Sequence, residues 1–73
     1  MNKSEIAWTP IEDRNLLKVG YEYLVSTVYD YVMLATYFEL DGRYAFEEVQ
    51  YNEVLELEEV TAWAELPEPY RKE

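Results

Sequence analysis

The side chains in this sequence that could do chemistry are nearly all carboxylates. Glu47 and Glu48 are adjacent, Glu56 is followed at close spacing by Glu58 and Glu59, and Asp41 lies near Glu39. Two carboxylates facing each other across a cleft, one of them in a low-dielectric site, are the machinery of glycoside hydrolysis. Here the acids are neighbours in polar stretches of a 73-residue chain, which has little depth for such a cleft. Their spacing describes a solvated face instead. Calcium also takes carboxylate oxygens, but the D-x-[DN]-x-[DN]-G spacing is absent and Asp41-Gly42 has no acids at the required offsets. The chain has no His and no Cys. That removes the commonest general base, the commonest transition-metal ligand, the zinc knuckle and the disulfide. The sequence therefore reads as a non-enzyme, with no cofactor and no metal site.

Eight tyrosines could in principle stack on bases or sugars. Nucleic-acid binding needs cations beside the rings, and between residues 19 and 69 the one basic residue is Arg43. Tyrosine also packs well on half-buried strands while its hydroxyl stays wet, and that is the reading adopted here.

What remains is the acid taken collectively. Between residues 19 and 69, twelve carboxylates stand against Arg43, and the whole chain carries −10. This balance disfavours nucleic acid and anionic membrane surfaces and favours a partner with a basic surface. Duplex DNA shows about one charge per 1.7 Å of axis, so a span of ~20 Å presents about a dozen. Half of these carboxylates on one face would come within a factor of two of that density. Acidity of this degree also keeps a small apolar-rich protein soluble, and composition leaves both readings open. The residues expected to meet a partner are Glu39, Asp41, Glu47, Glu48, Glu53, Glu56, Glu58 and Glu59, with Tyr44 and Tyr51 as aromatic anchors among them.

The elements that must position these residues read as mostly β, with α+β kept as the alternative. At this length the chain is one domain, and its hydrophobic fraction of 49% is too high for a disordered acidic tail. Residues 1–20 form a leader, irregular or briefly helical over 11–17, that packs on the sheet. Residues 21–66 form a small antiparallel meander of three to four strands. Residues 67–73, with two prolines, are a tail. "YEYLVSTVYDYVMLATYFEL" gives strands over 21–28 and 31–40 that reverse near Asp30. Asp41-Gly42 is a hairpin turn pair, after which a strand leaves at Arg43 and runs to about residue 51. Residues 47–59 fit strand, loop, strand better than helix, with Val49, Tyr51, Leu55 and Leu57 on one face. A last strand should place Val60, Ala62 and Ala64 on one face, with Thr61 and Trp63 on the other. The first two strands are apolar on both faces, which calls for cover on both. A sheet of three or four strands cannot cover itself, so Trp8 and Trp63 are expected to pin the two chain ends over it. Uncovered apolar surface would serve self-association. No apolar stretch is long enough to span a membrane and "MNKSEIAWTP" lacks a signal-peptide core, so a soluble intracellular protein is expected.

The frame W-x-P-x-x-x-R-x-L, the early "YLV", the "A-x-YF-x-x-DG" and the closing "VTAWAELPEPYRKE" resemble a small phage and prophage domain family of unknown function. The residues that carry the resemblance are Trp8, Arg14, Leu16, Tyr37, Asp41, Gly42, Val60, Thr61, Trp63, Leu66, Pro67 and Pro69. Members often have a His before the closing Trp, where this chain has Ala62, so no role transfers to that position. The resemblance implies a mobile-element origin and a small β-rich domain, and no reaction. Joined to the charge, it leads to one expectation: an acidic, DNA-mimic-like inhibitor in the bacterial host cytoplasm. It would block a basic groove of a nucleic-acid-binding defence protein, of anti-CRISPR or anti-restriction type. The alternative is a non-enzymatic assembly module, a homodimer formed through the apolar hairpin.

Overall fold

The computed structural model describes residues 6–67. The expected class holds: an antiparallel sheet with no α-helix among the described residues, but with six strands where three to four were expected. The strands are β1 (Thr9–Pro10), β2 (Glu22–Thr27), β3 (Val32–Leu40), β4 (Arg43–Glu48), β5 (Val54–Glu56) and β6 (Val60–Glu65). Their order in the sheet is β1-β6-β2-β3-β4-β5. Strand β1 escaped the sequence reading because it is two residues long, too short to show a period, whereas β5 falls within the strand, loop, strand expected over 47–59. None of the described residues belongs to a helix long and apolar enough to cross a membrane.

The central meander forms for local reasons. Strands β2 and β3 are rich in β-branched and aromatic residues that suit a pleated surface. Their connection closes on Thr27, whose Oγ1 accepts the N–H groups of Tyr29 and Tyr31 at 3.2 and 3.3 Å. Asp30 takes the left-handed conformation there (φ 67°), which short polar side chains tolerate best after glycine. The β3–β4 turn is Asp41-Gly42, with φ of 55° and 80°. Positive φ at both positions is what a two-residue hairpin of this hand requires. Strand β6 does not continue the meander but returns to pair with β2.

That return sets the shape. Across a flat sheet β5 and β6 would lie four strand spacings apart, about 19 Å. The four steps from Glu56 to Val60 span at most about 14 Å when extended. Leu57–Glu59 form a 3-10 turn, which is shorter still. The sheet must therefore curl, and the Val28 N–H donates to the Glu59 carbonyl across the closure at 2.9 Å. Curling gives the sheet an inner face that it largely covers itself, contrary to the sequence reading. Tyr23, Val25, Ala35, Tyr37, Phe46, Leu55, Val60 and Trp63 form the core there. From the leader, Leu17 is buried in this core and Ile11 packs against it. The leader thus adds cover, as a series of hydrogen-bonded turns plus β1 rather than a helix.

The two tryptophans do not play matched roles. Trp63 is 3% exposed within β6, whereas Trp8 in the leader is 37% exposed. Trp63 reaches the core face because the pairing of β2 with β6 shifts between Ser26 and Thr27, passing from Ala62 to Val60. Thr61 is the extra residue, and its Oγ1 donates to the Ser26 carbonyl at 3.0 Å. This bulge turns Val60 and Trp63 to the same side, which overturns the simple alternation expected of "VTAWA". Val49 and Tyr51 likewise are exposed in a turn rather than sharing a face with Leu55. The indole N–H of Trp63 donates to the Asp13 carbonyl at 3.1 Å, and its ring meets Tyr23 edge-on at 5.4 Å. The Tyr23 hydroxyl accepts the Lys18 N–H at 2.8 Å. Sheet and leader are locked through these two rings. Residues 68–73, which include most of the expected tail, lie outside the described residues.

Trp63→Ala should cost about 3–5 kcal/mol, comparable to the whole stability of a domain this small. Trp8→Ala should cost less than about 1 kcal/mol, as half-exposed positions do. Urea denaturation followed by circular dichroism should show no cooperative transition for the first variant and a near-parental midpoint for the second. Equal midpoints would contradict this arrangement.

Candidate functional site

The eight carboxylates expected to meet a partner all lie on β3's end, β4, β5 and the turns that join them, together with the single base Arg43. The described residues as a whole hold thirteen carboxylates against Arg14, Lys18 and Arg43, so they carry the full −10. Arg14 and Lys18 belong to the leader. The strand order therefore concentrates uncompensated charge on the β4–β5 side of the sheet.

The acids are not equivalent. Glu48 is buried on the inner face at the end of β4. Its Oε1 accepts the Tyr51 N–H at 2.6 Å and its Oε2 the Gln50 N–H at 3.0 Å. It holds the β4–β5 loop in place. At the hairpin tip, Glu39 Oε2 accepts the Gly42 N–H at 2.7 Å, and Asp41 is exposed beside it. Glu56 pairs with Arg43 at 3.4 Å, the one ion pair among the described residues. Both side chains are largely solvated, so the pair contributes roughly 0–1 kcal/mol. Glu59 Oε1 accepts the Glu56 N–H at 2.9 Å and its Oε2 the Tyr29 hydroxyl at 3.0 Å. Glu47, Glu53 and Glu58 are exposed and accept no side-chain hydrogen bond within the described residues. Glu47 projects from the outer face opposite Thr36 and Val54. The acids thus wrap around one side of a curled sheet rather than lining one flat face.

The two aromatic anchors also separate. Tyr44 lies against the buried Tyr37 ring, nearly parallel at 5.6 Å, so its inner face is already occupied. Tyr51 stands free in the β4–β5 turn at 69% exposure. Among the tyrosines, Tyr23 and Tyr37 are core residues, whereas Tyr21, Tyr29, Tyr31, Tyr44 and Tyr51 are exposed. The expectation of half-buried strand packing describes only some of them. Tyr29 and Tyr31 were not among the expected contact residues, yet curling brings them beside Glu59. The hint in the sequence is that "YDY" spans the reversal itself, where side chains point away from the sheet. No group of three or more Asp or Glu side chains among the described residues is arranged to hold a metal ion.

No family model, curated protein or solved structure matches this chain. The likeness carried by the tryptophan phrases rests on those residues alone.

Two measurements check this geometry. Glu48→Ala leaves backbone donors of the β4–β5 loop without partners and should cost about 1–3 kcal/mol, whereas Glu58→Gln should stay within about 0.5 kcal/mol of the parent. Equal unfolding midpoints would refute the structural role of Glu48. The second concerns Tyr29, whose phenol pKa is raised above 10.0 chiefly by its hydrogen bond to Glu59, then by the Glu59 charge and by burial. A raised folded-state pKa means that the bond's contribution is fully present below the unfolded value and is lost as pH rises through the folded one. In a residue-resolved alkaline titration by NMR, Glu59→Gln should move the Tyr29 phenol pKa downward. An unchanged curve would show that the bond is not formed in solution.

Proposed function

We propose that this chain is a non-enzymatic, phage-encoded inhibitor whose acidic β4–β5 side occupies a basic nucleic-acid-binding groove of a host defence protein, of anti-CRISPR or anti-restriction type. The observation that carries the reading is the one-sided charge. Eight carboxylates and one base occupy the end of β3, β4, β5, the turns between them and the 3-10 turn, with a single ion pair among the described residues. A six-residue strand such as β4 is about 20 Å long, over which a duplex shows about a dozen charges. Leaving out Glu48, which the fold buries, seven acids on this side are within a factor of two of that number. Such a surface competes for a lysine- and arginine-lined groove and steers association at low salt. The phage origin and the bacterial cytoplasm come from the resemblance of the terminal motifs.

The alternative, a homodimeric assembly module, draws support from the outer face. Register places Leu24, Leu34 and Phe38 there, half-buried, with Val32, Leu40 and Val54 more than half exposed. An exposed apolar band of this kind is a self-association surface. Two copies meeting there would each bring −10, and this repulsion is why the first reading is preferred.

The partner-facing acids that the fold does not use are Glu47, Glu53 and Glu58, so their joint replacement by Gln removes charge without disturbing a known bond. From a bacterial lysate, the tagged parent should retain a nucleic-acid-binding protein that duplex DNA displaces and that ~500 mM salt releases relative to ~50 mM. The triple variant should retain at least about ten-fold less, as three lost phosphate-like contacts imply. Undiminished retention by the triple variant would sink the mimic reading. A dimer that tightens with salt, with no basic protein retained, would establish the alternative.

A further inference from the structure

A groove of about 430 Å³ opens at the end of the sheet where the β2–β3 loop, the β4–β5 loop and the 3-10 turn converge. Its walls are Tyr29 and Tyr31 from the first loop, Tyr51 and Glu53 from the second, and Glu59 from the turn. Met33 and Leu55 contribute apolar atoms to its floor. The three tyrosines are 55%, 63% and 69% exposed, unusual for large rings with no partner to meet. Each charged side chain that lines the groove, Glu48, Glu53 and Glu59, is acidic. Glu48 is committed to the backbone of its own loop. Glu59 is held in place by the Tyr29 hydroxyl and the Glu56 N–H, with lone pairs to spare. Glu53 accepts no side-chain hydrogen bond within the described residues.

We infer that this groove takes an arginine side chain of the partner protein, an inference that rests on the acidic-edge reading and names the residue type that the edge recognises. Three features select the guanidinium. Its plane stacks on tyrosine faces while its edge donates two parallel bonds to a carboxylate. Its apolar stem suits a floor of Met33 and Leu55. Lysine offers a more strongly hydrated point charge that matches a carboxylate but does not stack as a plane. A neutral isostere has nothing to give Glu53 and Glu59.

The test uses the full chain, nitrogen-labelled for amide spectroscopy, and blocked Gly-Arg-Gly, Gly-Lys-Gly and Gly-citrulline-Gly peptides as probes. The arginine peptide should shift the amides of Tyr29, Tyr31, Gln50 and Tyr51. The lysine peptide should bind about three-fold more weakly or worse, as loss of a stacked cation implies, and the citrulline peptide should leave these amides unmoved. Tyr51→Ala, whose side chain stands free in the loop, should weaken the arginine response several-fold, and Glu22→Gln, exposed on β2 outside the groove, should not. The inference is overturned if citrulline acts like arginine, or if no groove amide responds. It is also overturned if arginine and lysine shift Gly42 and Arg43 as strongly as the groove, with no effect of Tyr51→Ala; the acidic edge then stands as a diffuse attractor. Conversely, groove amides that respond to arginine while the lysate retains no DNA-displaceable protein would support the groove and remove the inhibitor reading.

Discussion

The three residues that join β5 to β6 constrain the rest of this molecule. They are too few to cross a flat sheet, so the sheet has to curl until its β4–β5 side and its β2–β6 side approach. Curling separates an inner face from an outer one and makes a core possible in a chain that has almost no material to spare for cover. Trp63 fills the middle of that core, and its indole N–H reaches the leader's backbone at Asp13. The leader then needs only Ile11 and Leu17 to finish the cover. A bulge at Thr61 is the local adjustment that lets Val60 and Trp63 both face inward. Closure, bulge and tryptophan form one arrangement: the bulge turns Val60 and Trp63 to the inner face that the closure encloses.

The same closure divides the acids by task. A carboxylate at the inner face must be satisfied by donors, and Glu48 is, by two backbone N–H groups. Glu59 is drawn against Tyr29 because the 3-10 turn is pulled under the β2–β3 loop. Glu47, Glu53 and Glu58 are left to solvent, where charge serves solubility or a basic partner equally well. What distinguishes this surface from a merely soluble one is its asymmetry. Arg14 and Lys18 sit with the leader, and the β4–β5 side has Arg43 alone. Exposed tyrosines stand at one end of this acidic side, around the groove proposed to take a partner's arginine.

Residues 21–48 were legible in the sequence to within a few positions, because strand alternation and turn chemistry are local. Asp30, Asp41 and Gly42 all carry the positive φ that their turn positions require. Strand β5 was anticipated within the strand, loop, strand reading of 47–59, but β1 was not legible, since a two-residue strand is defined by its partner rather than by its own pattern. Trp8 and Trp63 looked equivalent because their sequence neighbours are similar. Burial separates them: Trp63 pairs opposite Val25 of β2, thirty-eight residues earlier in the chain, whereas Trp8 remains partly exposed in the leader.

By itself, then, the sequence determined the β class, the central hairpins, the net charge of −10 and the want of His and Cys. Each of these is a sum over residues or a property of a few neighbours. The tertiary structure alone decided which carboxylates the fold consumes, which tyrosines remain exposed, and which apolar face turns inward. Those outcomes depend on contacts between residues thirty and fifty apart, such as Tyr29 with Glu59 and Asp13 with Trp63. No local pattern encodes such pairings, because the free energy that selects them comes from closing the whole sheet.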